Sequence, residues 1–167
     1  MLLDYTIPKP PTLIGYQLHQ LVKGLTKEET PLFTDMGNRL IVRSEKHISE
    51  EGQQTRPIND GEIMGFELRA CVSKKLKGKH IYYPLSNWRV RHEWLAKKGE
   101  QFGFQPLTIN CHATRANIND GKRRKFSIDQ TDFVGILKIT NAETFKLALE
   151  KGIGSTAKAF GFGMLII

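Results

Sequence analysis

Tyr16, His19, Gln20 and Lys23 follow one another at offsets of three, four and seven residues. At helical spacing they share one face, so a phenol, an imidazole, an amide and an ammonium stand together. Imidazole can give or take a proton near neutral pH. That chemistry suits RNA cleavage, because RNA carries its own nucleophile, the 2′-hydroxyl beside the scissile phosphate. A protein then has only to align that oxygen, move protons and stabilise developing charge. A surface histidine on an amphipathic helix would leave the same pattern.

A second segment with chemical content is GIGSTAKAFGFG at 152–163. Four glycines, Gly152, Gly154, Gly161 and Gly163, surround Lys158. Glycine lets a backbone approach a phosphate closely, and successive N–H groups can form an anion nest. The spacing matches neither a dinucleotide fingerprint nor a Walker loop, which needs Gly-Lys-Ser/Thr. A helix cap followed by a turn into an edge strand accounts for Gly152 or Gly154. It accounts poorly for Gly161 and Gly163, since glycine weakens a strand interior.

Charge singles out a third region. The 167 residues carry a formal charge of +8, but the distribution is uneven. Between Lys27 and Glu62 there are eight acids and five bases; between Leu68 and Lys125 there are fourteen bases and three acids. Such asymmetry predicts a basic face that meets a polyanion. Only two cysteines occur, and neither lies in a CxxC pair. This argues against a disulfide framework or a zinc cluster, and Cys111-His112 lacks a second ligand pair. No metal or cofactor is expected. No apolar run reaches the roughly 20 residues of a membrane span, and the first residues do not resemble a secretory signal. A cytoplasmic protein without a membrane partner is the expectation.

The elements that must position these residues are legible from patterning. Residues 1–7 read as a strand, ended by Pro8, Pro10 and Pro11. Thr12 is the expected cap of a helix over Leu13–Leu25, with Ile14, Leu18, Leu21, Val22 and Leu25 on its apolar stripe. Leu32-Phe33 and Asn38–Ser44 read as a hairpin, 45–61 as loop, and Glu62–Val72 as the strand closing the first half. The basic stretch at 73–80 is expected to link the halves. Asn87–Gly99 reads as a helix behind Ser86, with Trp88, Val90 or Arg91, Trp94 and Leu95 inward. Phe104–Cys111 and Phe126–Thr140 read as strands flanking a polar segment. Asn141 caps a helix bearing Ala142, Phe145, Leu147 and Leu149, and Phe160–Ile167 closes the chain as a strand. The class is α+β, with two ferredoxin-like domains at 1–76 and 77–167, the first lacking most of its second helix.

Taken together, YQLHQ at 16–20, FELRA at 66–70, FVGILKITN at 133–141, KGIG at 151–154 and AKAFGFG at 157–163 resemble a known family. It is the CRISPR-associated endoribonucleases that process precursor CRISPR RNA, in particular the CasE-type enzyme of the type I-E Cascade complex or a close type IV relative. The resemblance runs in order over nearly the whole chain. It implies a tandem ferredoxin-like (RRM-like, RAMP) fold and metal-independent cleavage at the repeat hairpin through the 2′-hydroxyl. His19 would be the catalytic residue and Tyr16 its partner. Lys158 and the four glycines would lie at the RNA backbone. The basic hairpin, with Arg115, Lys122, Arg123, Arg124 and Lys125, would grip the stem–loop, and Arg69, Lys74 and Lys75 would add RNA contacts. The partners implied are the repeat stem–loop RNA and other subunits of a crRNA-guided surveillance complex. A non-cleaving RNA-binding or structural subunit on the same fold is the alternative. Two departures stand out: six residues, Ser155 to Phe160, separate the inner glycines where the family has five, and the chain is short through 26–62.

Overall fold

The computed structural model describes residues 1–119 and 124–167. Two antiparallel four-stranded sheets organise them. The first contains β1 (Leu3–Pro8), β2 (Leu32–Asp35), β3 (Arg39–Ser44) and β4 (Gln53–Gln54), in the order β2-β3-β1-β4. Helix α1 (Gly15–Thr26) connects β1 to β2 and buries Leu18 and Val22 against Phe33, Leu40 and Val42. This is the ferredoxin-like order with its second helix missing, because the connection 45–52 between β3 and β4 contains no helix. The helix begins later than its stripe suggested. Leu13 N–H donates to the Pro10 carbonyl at 3.1 Å, so the proline pair holds a turn through these residues. Ile14 then becomes the N-cap, without a side-chain hydrogen bond, and Thr12 plays no capping part.

The second sheet runs β10-β5-β9-β8. Its elements are β5 (Ile63–Ala70), α2 (Trp88–Phe102), β8 (Phe104–Asn119), β9 (Lys125–Ile139), α3 (Ala142–Lys151) and β10 (Leu165–Ile166), a complete ferredoxin-like βαββαβ unit. The strand over 63–70, expected to close the first half, instead opens the second. Its whole length pairs with β9, from Ile63↔Lys138 to Ala70↔Thr131. The sheets therefore divide the chain between Gln54 and Ile63 and not at 76. Alternation identified the strand but could not say which sheet it joins, since both offer an apolar layer. The core of this half gathers Phe66, Leu68, Leu95, Phe133, Leu137 and Phe145 between sheet and helices.

The basic stretch after β5 is not a linker. β6 (Ser73–Leu76) and β7 (Lys79–Tyr82) pair as a separate hairpin. Lys77 and Gly78 form its two-residue turn, both with positive φ (48° and 79°), the conformation a type I′ turn requires. The polar segment after Cys111 is strand as well: β8 and β9 pair from Phe104↔Ile139 out to Asn119↔Lys125. In α2, Arg91 and Leu95 are buried, whereas Trp88 is 54% exposed, contrary to expectation. The closing segment holds a short 3-10 turn at Lys158–Phe160 and only two residues of strand.

A buried side chain ties the halves together. Arg43 of β3 is buried and pairs with Asp4 through two 2.7 Å bonds. Its remaining terminal nitrogen donates to the carbonyls of Leu149 and Leu165 at 3.2 and 2.9 Å. Among the described residues no helix is long and apolar enough to cross a membrane.

Candidate catalytic helix and nucleic-acid interface

Helix α1 packs against its own sheet, the Lys158–Phe160 turn and the outer part of β8. The first two are brought together by the glycine segment, which is a closed loop. Ile153 N–H donates to Gly163 O at 2.7 Å, and Gly163 N–H donates to Arg69 O at 2.7 Å. A Cβ at Gly152 would lie 2.7 Å from Gly163 O, so two backbones meet where a side chain would separate them. Gly154 lies beside the Trp94 ring. Glycine chemistry here serves first to close the loop, and so to set the 158–160 turn against α1.

His19 and Tyr16 lie on one face of that helix, as their spacing predicts. Tyr16 is exposed. His19 is half-buried, and its Nδ1 is shut off from solvent with no hydrogen-bond partner. Protonation would place a donor there with nothing to accept it. Burial, and secondarily the Lys23 ammonium one turn on, hold its pKa below the ordinary 6.5. His19 is therefore a neutral imidazole at pH 7, the form that accepts a proton. Lys23 itself pairs with Glu29 at 3.3 Å.

The expected RNA-binding cations divide into two groups. Arg115 and Arg69 are occupied internally. Arg115 donates to Asp129 at 2.6 Å and to Tyr83 O at 2.8 Å, with its guanidinium 5.3 Å from the Tyr82 ring centroid. Arg69 takes both oxygens of Asp132 at 2.7 and 3.2 Å and donates to Asp35 O at 3.0 Å, tying β5 to β2. Both act as struts. Lys158 donates to Lys151 O, the last residue of α3, and burial together with Lys98 lowers its pKa. Its ammonium caps a helix C-terminus.

Lys74 and Lys75 on β6, Arg124 just before β9 and Lys125 at its start are exposed, with Lys74 held 5.8 Å from the Tyr83 ring centroid. Lys122 and Arg123 lie outside the described residues. A groove that sequence alone did not reveal lies between the β6–β7 hairpin, α2 and the glycine loop. Lys75, His80, Lys98, Ser155 and Thr156 line it together with Trp94. Lys98 stands 5.7 Å over the Trp94 ring, a contact their i,i+4 spacing allowed. A buried network was also missed. Asp129 accepts from Arg91 and Arg115, both at 2.6 Å, and from Thr131 at 2.7 Å. It fixes the root of the long hairpin to α2.

Comparison with solved structures finds this fold in proteins with little sequence in common. A CRISPR endoribonuclease Cse3 bound to a 19-nucleotide RNA superposes with a TM-score of 0.84 at 18% identity, covering 99% of this chain and 98% of that one. Thermus thermophilus Cse3, bound to an RNA representing a pre-cleavage complex, gives 0.79 at 18% identity over 99% and 97%. The CRISPR-associated protein Cas6e from Escherichia coli str. K-12 gives 0.76 at 22% identity over 99% and 98%. No curated protein sequence is significantly similar. The family model described as CRISPR associated protein matches residues 14–167, which contain α1, both hairpins and the glycine loop. A match of that extent, on a tandem ferredoxin-like frame, establishes that the chain belongs to the CRISPR associated protein family.

Proposed function

We propose that this chain is an endoribonuclease that cuts precursor CRISPR RNA at the repeat hairpin, without a metal, and stays bound to the product. The observation that supports this best is the setting of His19. It is a half-buried imidazole beside an exposed tyrosine, on a helix braced by the glycine loop and the outer part of a long basic hairpin. One RNA-bound Cse3 of this fold is described as a CRISPR endoribonuclease, Thermus thermophilus Cse3 carries an RNA representing a pre-cleavage complex, and another fold-mate sits in the Escherichia coli Cascade assembly. The repeat stem–loop and the subunits of such a complex are the partners proposed here.

In this reading the ribose 2′-hydroxyl attacks the adjacent phosphorus and the 5′-oxygen of the next nucleotide leaves. His19 takes the 2′-hydroxyl proton, and Tyr16 is placed to donate toward the phosphate or leaving oxygen. The products are a 2′,3′-cyclic phosphate and a 5′-hydroxyl. Arg124, Lys125, Lys74 and Lys75 hold the RNA backbone, while Arg69 and Arg115 keep the frame that carries them.

The test uses repeat RNA transcribed from the array beside the gene, incubated with protein in EDTA. Cleavage is expected, and a deoxy substitution at the nucleotide 5′ of the cut should abolish it while binding persists. Full cleavage of the deoxy substrate would overturn the 2′-hydroxyl mechanism. Binding with no cleavage of any repeat RNA would leave a non-cleaving RNA-binding subunit.

A further inference from the structure

An open slot of about 450 Å³ lies between the start of α1 and the outer end of the β8–β9 hairpin. Ile14, Ile118 and Phe126 line it, with Asn117, Lys125 and Ser127 among its polar neighbours. Two of its apolar members face solvent: Ile14 is 58% exposed and Phe126 39%. The Phe126 ring is nevertheless held in place, edge-on to Phe160 of the glycine-loop turn with centroids 6.0 Å apart. Ser127 Oγ donates to Asn117 Oδ1 at 2.7 Å, so that the two polar side chains brace one another across the strand pair.

We propose that this slot receives one unstacked nucleobase of the RNA, from a nucleotide flanking the scissile phosphate. The inference rests on the RNA-cleaving function proposed above. Three observations on the slot select a base as its occupant. A fixed aromatic ring facing an aliphatic wall is the platform on which a planar base stacks, whatever its identity. Among the described residues no acid lines the slot, and Lys125 at its edge complements a nucleotide's phosphate. Its position also fits: Ile14, the N-cap of α1, precedes Tyr16 by two residues and His19 by five. At roughly 1.5 Å of rise per residue, His19 is about 7.5 Å further along the axis. A base seated on Phe126 would thus anchor the chain at the start of the helix that carries Tyr16 and His19. Because Phe126 touches the glycine-loop turn, the same contact would tie base placement to the brace behind His19.

Two measurements test the slot separately from the cleavage reaction. In the first, each of the four nucleoside 3′-monophosphates is titrated into isotopically labelled protein and backbone amide shifts are followed. Saturable shifts are expected at Ile14, Asn117 and Ser127 and should be weakened about tenfold or more in Phe126→Ala. Ile14→Ala, which leaves the Phe126–Phe160 contact alone, should weaken them as well. Shifts confined to other surfaces, or unchanged in both variants, would overturn the proposal. In the second, abasic nucleotides are placed singly on either side of the cut. Wild type should lose about tenfold or more in cleavage rate at one position, and Phe126→Ala should lose no further rate there. Equal losses in both proteins would overturn the slot while leaving the endonuclease intact. Slot-specific shifts from a protein that cuts no RNA would support the slot and remove the endonuclease reading.

Discussion

Gly161 lies against the ring of Phe33: a Cβ built on it would stand 2.9 Å from Phe33 Cε2. Its φ is +85°, a conformation that side chains rarely adopt. The glycine loop of the second half and the core of the first thus interlock at a point where both backbone shape and space demand glycine. Gly161→Ala should destabilise the protein by about 1–2 kcal/mol from the left-handed conformation alone, plus whatever Phe33 must yield. Urea unfolding would read this as a lowered midpoint. An unchanged midpoint would mean that the loop moves freely on the first sheet.

His19→Ala should lower the cleavage rate by about 10²–10⁴, the usual effect of losing one general acid or base. Hairpin binding should hardly change, and Tyr16→Phe should have the smaller effect. Single-turnover cleavage alongside filter binding separates the two quantities. Wild-type rates in His19→Ala would make His19 a surface residue.

The pH dependence follows from the direction of the His19 shift. Its folded pKa lies below 6.5, so the neutral form persists to lower pH than in an unfolded chain. The acid limb of the rate profile should therefore fall below pH 6.5. The same group weakens the fold once pH drops under its unfolded value, because the unfolded state then takes up the proton first. Removing the Lys23 charge, as in Lys23→Met, relieves the repulsion and should move the limb upward. A limb that stays put in Lys23→Met would leave burial as the whole cause.

Much of this arrangement was legible in the residues. Spacing put Tyr16 and His19 on one helical face, Asn141 is the cap of α3, and alternation found the strand at 63–70. What failed shares a physical origin, since propensity describes one segment and not its partner. The strand at 63–70 was assigned to the wrong sheet because pairing is a long-range choice. The run after Cys111 was read only as a polar segment between two strands, although its residues are held as strand by the ladder to β9. Nothing local reveals that Asp132 and Asp129 stand opposite Arg69 and Arg115. Trp88 was placed inward as a large apolar residue, and Arg91, buried on Asp129, holds the inward position.

That buried cluster carries its own prediction. Asp129 and Arg91 are both fully buried and joined at 2.6 Å. Asp129→Ala would leave the Arg91 guanidinium without its countercharge, and breaking such a pair from one side costs about 3–5 kcal/mol. Thermal unfolding should show a large loss, with Asp129→Asn intermediate because it keeps hydrogen bonds to Arg91 and Thr131. A near-neutral Asp129→Ala would mean that water or a neighbouring acid reaches Arg91. Arg115 should contribute less, since it is partly exposed and surface pairs are worth little.

The hairpin grip can be tested through salt. Lys125 opens β9, and Lys122, Arg123 and Arg124 precede it in sequence. The A-form major groove is deep and narrow, so cations at this end can act on phosphates and on stem–loop shape more readily than on base edges. Each phosphate neutralised releases counterions, which gives log K a linear dependence on log salt. Replacing all four residues by alanine should weaken repeat-hairpin binding and flatten that slope by roughly one unit per lost contact. Lys74→Ala with Lys75→Ala, on the separate β6–β7 hairpin, should reduce the slope independently if both surfaces touch the same RNA. Titrations at several salt concentrations would read both effects. An unchanged slope in the four-residue variant would mean that this end of the hairpin only solvates the protein. The grip would then rest on the groove between Lys75, His80 and Lys98, where no acid among the described residues lines the walls.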